Sequence, residues 1–105
     1  MVIVEFRSRL RRGVDEAAYH ALEAELRALV ATHPGFISIE SFDAADGTAV
    51  SIEHFEDMTS VLAWRERHEH VEAQRRGREE FYEWYSVRTC EVVRSFEFER
   101  AESTS

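Results

Sequence analysis

Residues 64–90, WRERHEHVEAQRRGREEFYEWYSVRTC, read as a helix that runs into a strand. Trp64, His68 and Val71 recur at three- and four-residue steps. The helix they imply starts upstream, capped by Asp57 or Thr59, and takes in Val61 and Leu62. Gly77 is expected to interrupt it, with a short turn near residues 79–82 and a long strand from about 85 to 98. This helix does not separate an apolar face from a charged one. It mixes bulky aromatics with hydrogen-bonding groups, the composition of a wall that is both packed and chemically addressable.

The upstream half supplies the rest of the fold. Residues 2–9 alternate, with Val2, Val4 and Phe6 on one face and Ile3, Glu5 and Arg7 on the other, so they form a strand. Gly13 ends it and Asp15 caps a helix through Tyr19, Leu22, Leu26, Leu29 and Val30. Pro34 and Gly35 stop that helix. A second strand spans residues 36–43, with Ile37 and Ile39 opposite Phe36 and Phe42. Asp46-Gly47 then turns the chain into a third strand over residues 48–55. The order is β-α-β-β-α-β, a ferredoxin-like α+β domain with a four-stranded antiparallel sheet and both helices on one face. The other face would leave Ile3, Ile37 and Ile39 wet, so a homodimer with the two sheets face to face is expected.

Composition bounds the function. The chain has 105 residues and a net charge of −8, which suits one small domain over residues 1–100 and disfavours nucleic acid as a partner. Arg75, Arg76 and Arg78 sit among Glu72, Glu79, Glu80 and Glu83, as on an ion-paired helix face. No apolar run suffices for a membrane span, and residues 1–9 lack a basic region before their apolar run, so a cytoplasmic protein without a signal peptide is expected. The lone Cys90 reads as a small hydrophobe in a strand. Residues 101–105 are small and polar and are expected to fray.

His70, Gln74 and Arg78 lie four apart on one helical stripe. A neutral histidine there could take a phenolic proton while glutamine and arginine hold the oxyanion. The same stripe could instead bond the strand ends and fix a dimer interface. Trp64 reads as core, pocket wall or both, and the Tyr82 and Tyr85 hydroxyls suit an interface or a pocket rim. His54 shares a strand face with Val50 and Ile52 and is the histidine outside the second helix to watch as a pocket residue. His68 and His70, two apart on a helix, point apart, so no metal is expected. No glycine-rich dinucleotide or phosphate turn is present, so no organic cofactor is expected either.

This element order, together with Trp64, His70, Ala73-Gln74, Gly77-Arg78, Phe81-Tyr82, Tyr85 and His33-Pro34-Gly35-Phe36, resembles the antibiotic biosynthesis monooxygenase domain family over roughly residues 2–98. The resemblance implies a dimeric α+β barrel and a pocket between helices and sheet, lined by Val4, Phe6, Ser8, Trp64, His68, His70 and Gln74. It further implies cofactor-independent oxidation of a small aromatic such as a phenol, hydroquinone or polyketide. A non-catalytic, dimeric ligand-binding or stress-associated domain of the same fold is the alternative. The haem-degrading branch places an Asn and a His where this chain has Phe6 and Gln74, so haem degradation is not expected.

Overall fold

The computed structural model describes residues 1–101, so the expected fraying of 101–105 falls, beyond Ala101, outside the described residues. Its elements are β1 (Val2–Leu10), α1 (Glu16–Val30), β2 (Phe36–Asp43), β3 (Ala49–Phe55), α2 (Met58–Glu66), α3 (His68–Arg76) and β4 (Tyr82–Glu91). The strands form one antiparallel sheet in the order β2-β3-β1-β4. This is the ferredoxin-like arrangement, with the second helix in two pieces. Among the described residues no helix is long and apolar enough to cross a membrane.

The helix starts are set by aspartates: Asp15 accepts from the Ala18 N–H at 3.0 Å and Asp57 from the Ser60 N–H at 2.8 Å. Between sheet and helices lies a core of Val2, Val4, Val30, Phe55, Val61 and Trp64. Alternation along β1 puts Val2 and Val4 into this core, and their partners across the ladder are Phe55 and Glu53. On the outer face of α3, Arg75 pairs with Glu72 and Glu79, and Arg76 with Glu80.

Three departures from the sequence reading have local causes. First, β2 slips register between Phe36 and Ser38, leaving Ile37 as a bulge. Phe36 packs edge-on against Phe55, with centroids 5.7 Å apart. Beyond the bulge the phase inverts, so Ile39 faces the helices instead of joining Ile37 on the open side. Second, the helix has a further break at Arg67 (φ −62°, ψ 140°), upstream of the expected interruption at Gly77, where the α-helix ends and a short turn follows. Gly77 is helical (φ −56°, ψ −48°) and opens a single wide turn, Gly77–Phe81, that closes on the Tyr82 N–H. A Cβ on Gly77 would sit 2.8 Å from the Tyr82 ring. The glycine therefore also serves close approach. Third, β4 starts at Tyr82 and ends at Glu91, short of residue 98. Glu91 pairs with Val2, where β1 begins, so past it no strand of the same chain can continue the ladder.

Candidate active site

Helices and sheet enclose a half-open cavity of about 170 Å³. An apolar protein cavity of about 150 Å³ holds benzene, so the space suits one aromatic ring with the remainder of a ligand at the mouth. Its floor is Val4 and Phe6 of β1, Ile39 of β2, Glu53 of β3, and Tyr85 and Val87 of β4. Its roof is Tyr19, Leu22 and Leu26 of α1, Trp64 of α2, and His70 and Gln74 of α3.

The break at Arg67 composes this roof. Residues six apart in an unbroken helix face different directions. Here the Trp64 and His70 rings meet edge to face, with centroids 5.3 Å apart. Trp64 is itself held by His33, 5.5 Å away, whose Nε2–H donates to the Ser60 carbonyl at 3.1 Å. His33 thus ties the end of α1 to α2, beyond the helix-closing role its position suggests. On the floor, Phe6 stacks on Tyr85 at 5.4 Å and meets Tyr82 edge-on at 5.5 Å. The Tyr82 hydroxyl lies 3.4 Å from that of Tyr19.

Burial sets the protonation of these groups. It pulls the His70 imidazole below the ordinary histidine value, against the opposing pull of the Arg65 backbone, so the ring is neutral at pH 7. His70 Nδ1 is buried and meets no partner at good hydrogen-bond geometry, and the residue lines the cavity. Burial also raises the Tyr82 and Tyr19 phenols, which stay neutral and act only as hydrogen-bonding groups. Glu53 shifts the same way: burial pushes its carboxyl up to about 7 against the weaker pull of Arg27.

Of the residues singled out from sequence, Phe6, Trp64, His70, Gln74, Tyr82 and Tyr85 line one cavity. Four others do not. His54 pairs with Ile3 and lies on the sheet face away from the helices, with Nδ1 3.3 Å from the Ser38 hydroxyl. Strand parity separates it from Glu53. His68 opens α3 immediately after the break and is exposed. Arg78 lies in the wide turn, exposed, and donates to the Tyr85 hydroxyl at 3.1 Å, so it braces the rim instead of completing the stripe. Ser8 is buried between Ala49 and Tyr85, beyond the cavity. Glu53 also lines the cavity, and the sequence hides it, because Val50 and Ile52 make the opposite face of β3 look like the buried one.

The family model for antibiotic biosynthesis monooxygenase matches residues 1–76, and the chain belongs to that family. It is 32% identical over 83 residues to the Bacillus subtilis (strain 168) protein YqjZ, covering 79% of this chain and 73% of that one. The fold is similar to that of an antibiotic biosynthesis monooxygenase family protein from Deinococcus radiodurans, with TM-score 0.81, 11% identity, and 94% and 99% of the two chains covered. It is also similar to SnoaB, a cofactor-independent oxygenase from Streptomyces nogalater, with TM-score 0.73, 14% identity, and 90% and 94% covered. At such identities the two structures speak for the fold alone.

Proposed function

We propose that this protein is a cofactor-independent monooxygenase for a small electron-rich aromatic, a phenol with a free para carbon. The observation that carries the reading is a neutral histidine facing an aromatic-walled cavity sized for one ring. Trp64 and Phe6 hold the ring. His70 takes the phenolic proton, and the Gln74 amide orients the resulting oxygen anion. The phenolate then supplies the electrons that dioxygen needs, and the apolar lining keeps water from the reactive adduct. In the net reaction the para C–H becomes a carbonyl, one oxygen atom enters the quinone, and the other leaves as water.

With 1-naphthol and dioxygen, the expected result is one O2 consumed per 1,4-naphthoquinone formed, one atom of ¹⁸O from labelled gas in the product, and no hydrogen peroxide. His70→Ala should lower kcat by roughly 10²–10⁴-fold, the usual worth of a positioned base. Because the base must be unprotonated, the acid limb of wild-type activity should lie at a pH below the ordinary histidine value of 6.5. Unchanged turnover in His70→Ala would remove the mechanism. Binding of 1-naphthol without oxygen uptake would instead support the ligand-binding alternative.

A homodimer through the open sheet face completes the proposal. That face carries Ile3, Val50, Ile52, Phe42 and Trp84, and the Glu5 Oε1 is buried there without a partner. Past β4 the chain exposes Val93, Phe96 and Phe98 at 95%, 82% and 73%. Rings this wet call for a cover, and a second copy offers the same apolar face in return. Sedimentation equilibrium at micromolar concentration should give twice the mass of 12.3 kDa. A stable monomer would overturn this part of the proposal.

A further inference from the structure

Glu53 stands at the middle of β3, between Val4 and Ile39 on the neighbouring strands, with its carboxyl in the cavity floor. Among the described residues no side chain bonds or pairs with it. The guanidinium of Arg27 lies above but is turned to the Ser41 hydroxyl at 2.9 Å. The other ionisable groups around the cavity are Glu23 and Tyr19 of α1, Arg65 of α2, His70 of α3, and Tyr82 and Tyr85 of β4. A carboxylate in this position would be a largely buried charge without a bonded counter-ion, so the protonated form is favoured and is kept up to a pH of about 7. A protonated carboxyl is a hydrogen-bond donor, and with no protein acceptor bonded to it among the described residues its natural acceptor is an oxygen of the ligand.

We propose that Glu53 is the proton donor of this cavity, opposite His70: it hydrogen-bonds an oxygen of the aromatic ligand and, in turnover, protonates the peroxide. This rests on the oxygenase reading above and adds the second half of its proton traffic. His70 takes the phenolic proton, and the para carbon of the ring bonds dioxygen, leaving a peroxide anion. Glu53 gives that anion its proton. The carboxylate so formed removes the hydrogen on the same ring carbon. The C–H electron pair becomes the second bond of the new carbonyl as the O–O bond breaks, and the departing hydroxide takes the proton held by His70. Both residues return to their starting forms, and phenol plus O2 gives quinone plus water. The pairing of a free base with a protonated acid in one site follows from their opposite responses to burial.

The test compares wild type with Glu53→Gln in two measurements. In oxygen uptake with 1-naphthol, wild type should lose activity as pH rises through about 7. Glu53→Gln should show kcat down at least tenfold, KM little changed, and that alkaline limb gone. In calorimetric binding of 1-tetralone, an aryl ketone without a phenol to oxidise, wild type should bind several-fold more weakly at pH 8.5 than at pH 5.5. Glu53→Gln, which keeps a donor but cannot ionise, should bind equally at both. Wild-type uptake with an unaltered variant would overturn the catalytic role of Glu53 and leave the oxygenase reading standing. No uptake by either protein, with the pH-dependent binding intact, would overturn the oxygenase reading and keep Glu53 as the ligand's hydrogen-bond donor. Binding with no pH dependence in wild type would overturn the proposal outright.

Discussion

Glu53→Gln is expected to raise the melting temperature at pH 8 and to leave it nearly unchanged at pH 4. The folded carboxyl titrates at about 7 instead of the ordinary 4.5 because burial penalises its charge. Across that window the folded protein keeps a proton that the unfolded chain has released, so stability declines as pH rises through it. Below the window both states hold the proton, and glutamine matches the neutral acid in size and polarity. Above it the native protein carries an ill-solvated charge that glutamine does not. A shift of this size corresponds to about 1–3 kcal/mol at pH 8, the upper figure being that of the full shift. For a domain this small that is a gain of roughly 5–20 °C in Tm. Thermal denaturation of both proteins at the two pH values decides the matter: equal differences at pH 4 and pH 8 would mean that charge burial is not the cause. A residue that lowers stability where it supplies a cavity proton fits the usual trade between stability and activity.

Gly35→Ala is expected to be among the most damaging single substitutions in the chain. Gly35 has φ +88°, a conformation that costs a residue with a Cβ about 1–2 kcal/mol. The added carbon would also overlap the Cβ and Oγ of Ser60, in the first turn of α2. The contact cannot yield cheaply. The Gly35 carbonyl accepts from the Glu56 N–H at 2.8 Å, and the Ser60 hydroxyl donates to the capping Asp57 at 2.7 Å. Adding the overpacking cost gives a loss of about 2–5 kcal/mol, much of the stability of a small domain. The urea midpoint should fall accordingly. In a double-mutant cycle, Ser60→Gly should return the steric share of that loss but not the share due to φ. Additive effects of the two substitutions would show that the overlap is relieved elsewhere.

The order of elements was legible because each carries its own local signal: the alternation of Val2, Val4 and Phe6, the capping aspartates, and the stop at Pro34-Gly35. What escaped was set by contacts between elements. Nothing around Ile37 announces that β2 will bulge so that Phe36 can pack on Phe55 and Ile39 can still turn inward. On β3, periodicity gives two faces but not which one points in. Hydrophobicity favoured the Val50, Ile52 and His54 face, whereas the structure turns Ser51, Glu53 and Phe55 toward the helices. The sequence pattern therefore points to His54 and conceals Glu53. A buried glutamate opposite apolar neighbours is invisible until the ladder register is known. The second helix escaped for another reason: Arg67 is a sound helix former, and only the packing of Trp64 against both His33 and His70 shows why the chain extends there.

That one extended residue has a consequence for how such cavities diversify. Each residue along a helix turns its direction by about 100°, so adding or removing a single helical residue just after the joint would rotate the rest of α3 by that angle while the floor, α1 and α2 stay as they are. Val71 or Glu69 would then meet Trp64 in place of His70. The chemistry presented to the cavity is thus indexed by the number of residues just after this joint, and a chain of this fold could exchange its base for an apolar or acidic group without any substitution inside the site.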